Sequence, residues 1–304
     1  MMTMNLENLS KTKALLLLLG MYVIAFVAGV VAYRFSETLV THIIWRTLFA
    51  NVIATLVIYG FGVLIDNQSV YDPYWSVAPP VIVIAWIVTL DVTLHLPVVL
   101  LLMAILFWSI RLTYNFIINF DDFSYQDWRY VMLHDKHPGL WLLTNLFGIN
   151  LMPTIIVFIQ LIGAYHVLLN AATINVMFVL GFILSVSAAF IQYISDKQMM
   201  AFRMDHKQDK GSIDQGLWSY SRHPNYFGEV MMWWGIYLMY LSVVRTLDWQ
   251  IVSPLLMTAL FLFISIPMME EKLKERPGYT DYQEEVSVLV PFPRKSQKED
   301  KPKA

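Results

Sequence analysis

Asn225 and Glu229 stand four residues apart in the stretch 220–241, YSRHPNYFGEVMMWWGIYLMYL, whose polar half runs straight into an apolar helix. That spacing puts both side chains on one helical face, and Pro224 marks where the helix begins, so Arg222 and His223 belong to the approach. An ionisable residue such as Glu229 is expensive to desolvate about one turn inside an apolar run, which points to function. The alternative is a capped helix start with a snorkelling Arg222 and a Glu229 paired for stability. Asp196 and Arg203 are seven apart in QYISDKQMMAFRMD, again on one face. A carboxylate suits a ribose hydroxyl or an amide and an Arg fork suits a phosphate, although an ordinary interfacial charge pair would have the same spacing. Arg111 ends an apolar run and could simply snorkel. In VYDPYWSVAPP, Asp72 and Tyr74 precede another span. They are read either as a proton donor at a cavity mouth, or as a loop-ordering Asp beside an aromatic belt.

The elements that must position these groups are membrane helices. The 304 residues are 57% hydrophobic and only 14% charged, far from the quarter charged of a soluble domain. Runs long enough to cross a bilayer cover roughly 14–33, 42–65, 76–90, 94–116, 146–169, 174–194, 226–244 and 251–268, which makes about eight spans. The third is short and is expected to start at Pro79-Pro80 as a tilted or partly re-entrant element; 141–151 reads as a separable interfacial helix. Basic residues cluster before the first span, between spans four and five and between six and seven, and after the last. With eight spans all of these fall on one side, which must be the cytoplasm, together with both termini. The expected fold is therefore an all-α polytopic integral membrane bundle with a cytoplasmic cofactor cleft. It forms one domain over 1–292, followed by a charged, disordered tail over 293–304. The segment ERPGYTDY, with Tyr279 and Tyr282, reads as a folded cap over that cleft.

Several chemistries are excluded. Without cysteine there is no disulfide, thiolate-ligated metal or cysteine nucleophile. Gly60 and Gly62 make a G-x-G with Ile65 in the third position, inside a span, so there is no Rossmann fingerprint, and no P-loop occurs. His134 and His137 form one H-x-x-H, too little for a di-iron box and expected to be solvated.

The residues DPYWSVAPP, RL-x-x-Y with D-W-R-Y, S-D-x-x-x-x-x-x-R, G-L-W-x-Y-S-R-H-P-N-Y-F-G-E and P-G-Y-x-x-Y…VPF extend over most of 70–292. They resemble the steroid 5-alpha-reductase superfamily, closest to its uncharacterised bacterial multi-pass branch. The resemblance implies a bacterial inner-membrane protein in which Asp196, Arg203, Asn225 and Glu229 line an NADPH site. Arg111, Arg222, Tyr226, Lys272, Tyr279 and Tyr282 are further candidates in the same cleft. Steroid reductases place a Gln-Glu pair where this chain has Asp72-Pro73-Tyr74, and a Tyr where it has Trp108 before Arg111. The cofactor half thus looks kept and the substrate half rebuilt.

The expected activity is NADPH-dependent reduction of the activated C=C bond of a lipid-soluble enone, with protonated Asp72 or Tyr74 as donor to the developing enolate. Partners are then a hydrophobic or lipid substrate and the surrounding membrane lipids, with no nucleic acid. The rivals are a SAM-dependent lipid methyltransferase, because isoprenylcysteine carboxyl methyltransferases carry a related R-H-P-x-Y, and a non-catalytic lipid-binding membrane protein.

Overall fold

A computed structural model describes residues 9–171, 173–205 and 211–295. Lys207, Lys210 and most of the expected tail, 296–304, lie outside the described residues. Among the described residues, seven helical stretches are long and apolar enough to cross a membrane: Lys11–Thr38, Ile43–Ile65, Leu96–Asn119, Pro138–Asn170, Val176–Asp205, Pro224–Val244 and Trp249–Leu273. Within or between them run α1 (Lys11–Phe35), α2 (Ile43–Ile65), α3 (Tyr74–Thr89), α4 (Leu96–Asn119), α5 (Trp128–Lys136) and α6 (Trp141–Leu143). Then come α7 (Met152–Asn170), α8 (Val176–Asp205), α9 (Pro224–Val244), α10 (Val252–Leu260), α11 (Ile266–Leu273) and α12 (Tyr279–Glu285). No strand occurs among the described residues, and the protein is an integral, multi-pass, all-α membrane bundle.

The eighth expected span, α3, has 16 residues, about 24 Å at 1.5 Å per residue and short of a ~30 Å hydrocarbon core. It nevertheless runs between the two ends of the bundle. At one end Asp72 just before it meets Tyr130, and near the other the Trp86 indole donates to Thr47 in the first turns of α2. Its start differs from expectation: the helix begins at Tyr74, and Pro79 and Pro80 lie within it. So early in the helix, the missing prolyl N–H groups leave only the Trp75 and Ser76 carbonyls, in its first turn, without their i+4 donors. The expected interfacial helix at 141–151 is also different. It is continuous with α7 through a π-helical segment, Thr144–Leu151. The π register sets residues five apart side by side, and Asn150 Nδ2 accordingly donates to Asn145 Oδ1 at 2.8 Å.

α8 and α9 make the most extensive helix–helix contact. Glycines permit it. A Cβ on Gly235 would stand 2.6 Å from the Gly181 carbonyl oxygen, and one on Gly228 would stand 2.5 Å from Gln192 Cγ. Without a hydrophobic force between helices in lipid, such close backbone approach supplies the packing. It also presses Gln192 against the first turns of α9. The main core is built around Trp86, Trp108 and Trp233, all fully buried, while Leu16, Phe26, Val31 and Phe263 in the spans point outward to lipid. His134 and His137 are exposed at the end of α5.

Candidate functional site

A cavity of about 500 Å³ opens at one end of the bundle, within the range of small-molecule and cofactor sites. Its wall passes from Asp72 and Trp75 to Arg111, across Asp127 to Tyr130, along α8 at Gln192, Asp196 and Arg203, and over Asn225, Tyr226 and Glu229 of α9. Two π-helical segments, Thr144–Leu151 and Phe261–Ser265, contribute apolar lining, together with Leu112 and Phe116 of α4, Met152 of α7 and Met268 of α11.

Glu229 is the hub of its floor. The carboxylate is 4% exposed and faces donors on both oxygens. Trp108 Nε1 stands 3.0 and 2.8 Å from the two, Trp233 Nε1 donates at 3.0 Å and Gln192 Nε2 at 2.6 Å. Arg111 Nη2 lies 3.8 Å away, and its Nη1 donates to Asp196 at 2.8 Å. Burying a carboxylate is tolerable only with such pairing and donation. The sequence places Asn225 and Glu229 on one face and both do line the cavity, but the acceptor sites of Glu229 are already taken by protein donors. Its role here is to hold Arg111, Gln192 and two indoles. The spacing signal for Gln192 was present: it is four residues before Asp196.

A second cluster forms opposite. Tyr130 Oη donates to Asp72 Oδ1 at 2.5 Å. Burial, and then the nearby Asp127 carboxylate, push the Asp72 carboxyl up to about 7, against the pull of Arg129. Asp127 caps α5, accepting from Arg129 N at 2.8 Å, and takes that guanidinium at 2.8 and 2.9 Å. Although burial opposes it, this pairing holds Asp127 below the usual carboxylate range.

Six of the ten cofactor candidates line this cavity: Arg111, Asp196, Arg203, Asn225, Tyr226 and Glu229. The other four stand outside it. Arg222 donates to Glu270 at 2.6 Å and to the Gln283 and Val286 carbonyls at 2.5 and 2.7 Å, so it clasps the C-terminal segment to the start of α9. Tyr279 donates to Glu270 at 3.3 Å and Tyr282 to the Trp218 carbonyl at 2.6 Å. The expected cap is thus folded, but its tyrosines are consumed in holding it rather than turned on the cavity. Lys272 Nζ sits 4.0 Å above the ring of Trp128, a lining residue. Tyr74 is also displaced. It faces a different cavity and donates to Asn51 Oδ1 at 3.1 Å, so the phenol beside Asp72 is Tyr130, within the D-W-R-Y stretch.

Residues 58–286 match the family described as "Protein of unknown function (DUF1295)". The chain belongs to that family. It is the uncharacterised group that is steroid-5-alpha-reductase-like. No curated protein and no solved structure matches the chain. The match covers α3 to α12 with every residue of the cavity wall, whereas α1 and most of α2 lie before it.

NADPH needs polar partners for its carboxamide and ribose, cations for its phosphates and a flat apolar wall for its ring. The lining contains two buried polar atoms with no protein partner, Gln192 Oε1 and Arg111 Nε, an acceptor and a donor on two residues that both meet the Glu229 carboxylate. Tyr226, stacked on His223 at 5.2 Å between ring centroids, and Phe261 supply flat faces. Arg203, exposed and lining, is the cation not tied to a carboxylate by a described ion pair. These residues fit the group. They are less positive than the sequence suggests: Arg111 and Arg129 are paired with acids, and Arg222 is spent on Glu270.

Proposed function

We propose that this protein is a membrane-bound NADPH-dependent reductase acting on the activated C=C bond of a lipid-soluble enone, with steroid-like or isoprenoid-like substrates in scope. The observation that carries this reading is the Asp72–Tyr130 pair: a carboxyl with its pKa near 7, sharing a short hydrogen bond with a phenol, in the same cavity as Gln192, Asn225 and Arg203. Enone reduction requires a donor at the carbonyl oxygen where negative charge develops, and lipid methylation does not.

NADPH, when bound, supplies a hydride for the β-carbon of the substrate. Gln192 Oε1, Asn225 and the Arg111 Nε proton would hold its carboxamide end, Asp196 its ribose and Arg203 its phosphate. Protonated Asp72 would turn from acceptor to donor toward Tyr130 Oη, which frees the Tyr130 proton for the substrate carbonyl, so the proton leaves a carboxyl already poised to lose it. The enol so formed then takes a proton from the medium at its α-carbon while its O–H proton returns through Tyr130 to Asp72, so that one hydride and one proton have been added across the C=C bond. Apolar lining from the two π-helical segments excludes water and strengthens these bonds.

The cavity end carries Lys11, Arg129, Lys136, Lys197, Arg203 and Lys272, and the opposite end Arg34, Arg46 and Arg245. That bias supports a cytoplasmic cavity, open to the cytosolic cofactor pool, in a bacterial inner membrane. In purified protein, Arg203→Ala and Asn225→Ala should each weaken NADPH binding about ten- to a hundredfold at unchanged melting temperature. Titration calorimetry reads this directly. Wild-type affinity in both variants would remove the cofactor from this cavity.

A further inference from the structure

A second cavity, of about 370 Å³, lies between α1, α2 and α3, toward the opposite end of the bundle from the candidate site. Phe26, Val30, Ala54, Val81 and Ala85 give it an apolar wall, and small residues at 54 and 85 leave the room that larger ones would fill. Phe26 and Val30 are 56% and 44% exposed on the outer surface, so the cavity opens sideways to lipid rather than to water. It runs the length of α3, from Tyr74 to Thr89, about 24 Å at 1.5 Å per residue, longer than the ~15 Å depth of one leaflet's hydrocarbon.

Most polar groups inside are settled within the protein: Asn51 accepts from Tyr74 and Thr47 from Trp86. Two at the far end are not. Tyr33 Oη and Arg46 Nε are buried with no hydrogen-bond partner. The Arg46 guanidinium lies 4.2 Å above the Tyr33 ring, which sets the two donors close together. Arg46 also bonds to Glu37, and Arg34 Nη1 approaches the same carboxylate oxygen at 3.4 Å. Two guanidinium groups thus share one carboxylate, and the mouth keeps a net positive charge. A ligand that completes this site has an oxygen acceptor, a negative charge and a long apolar body.

We propose that this groove is a specific site for an anionic membrane phospholipid, with one acyl chain along α1, α2 and α3 and the phosphate on Arg46 and Tyr33. It is independent of the reductase reading, because none of its residues lines the candidate cofactor cavity. A buried donor without a partner favours the phosphate oxygen over water that cannot follow an acyl chain into the groove. Arg46 can offer Nε and an Nη while still touching Glu37.

The test is native mass spectrometry of the detergent-purified full chain titrated with phosphatidylglycerol or phosphatidylcholine, with inorganic phosphate as a separate arm. One phosphatidylglycerol should bind about tenfold more tightly than phosphatidylcholine, and phosphate alone should not compete. Tyr33→Phe removes a hydroxyl that has no partner in the protein, so it should fold normally and lose about fivefold to tenfold in phosphatidylglycerol affinity. Ala85→Trp, which fills the groove, should abolish the tight site. Equal binding of the two lipids, or full affinity in Tyr33→Phe or Ala85→Trp, would mean boundary lipid only and overturn the assignment.

Discussion

Glu229→Gln is expected to destabilise the protein by about 3–5 kcal/mol, the scale for breaking a buried charge network. Every contact of this carboxylate is with a donor: two indoles, the Gln192 amide and the Arg111 guanidinium. Glutamine keeps the size but turns one acceptor into an NH2, so a donor faces a donor whichever way the amide is set. Arg111 would at the same time lose one of its two acidic neighbours. Thermal unfolding in detergent should show the loss, and the folded fraction should bind NADPH less well because Gln192 and Arg111 are no longer held. A variant of wild-type stability with its activity gone would mean that Glu229 touches the ligand itself.

Asp72→Asn should reduce turnover about 10²- to 10⁴-fold, the usual worth of a positioned acid. Two pH profiles accompany it. Turnover of the wild type should fall as pH rises through about 7, where Asp72 loses its proton in the folded state. Stability runs in the same direction. The folded-state pKa is raised above the unfolded one, so the folded protein binds the extra proton, and this contribution is present at low pH and lost as pH rises from about 4 through about 7. Asparagine cannot titrate but can still accept from Tyr130. The difference in stability between variant and wild type should therefore shift in the variant's favour as pH rises from about 5 to about 8.5. Parallel melting curves at both pH values would contradict the burial of an ionising carboxyl.

Local chemistry explains what the sequence made legible. Pro224 starts α9, and four-residue spacing brings Asn225 and Glu229 to the same cavity. Asp196 faces them from α8, where the apolar run gives way to charge. Partners distant in sequence were not legible. Arg222 has its acid 48 residues away, so no local pattern distinguished a clasp from a phosphate ligand. Tyr74 is nearer to Asp72 in the chain than Tyr130, yet it follows the start of α3 and turns to Asn51, while Tyr130 arrives from α5. No local pattern ties Trp108 to Glu229, and only the bundle shows its N–H and that of Trp233 converging on one carboxylate.

Membranes incubated with NADPH deuterated at the transferable position, and with a panel of enone lipids, test the central claim. The account predicts one deuterium at the β-carbon of the product, formed by the wild type and lost in both Asn225→Ala and Asp72→Asn. Methyl-labelled SAM in the same membranes should leave lipid unlabelled. Methyl transfer to lipid that disappears in Asn225→Ala, with no deuterium in any enone, would contradict it and assign the cavity to a methyltransferase.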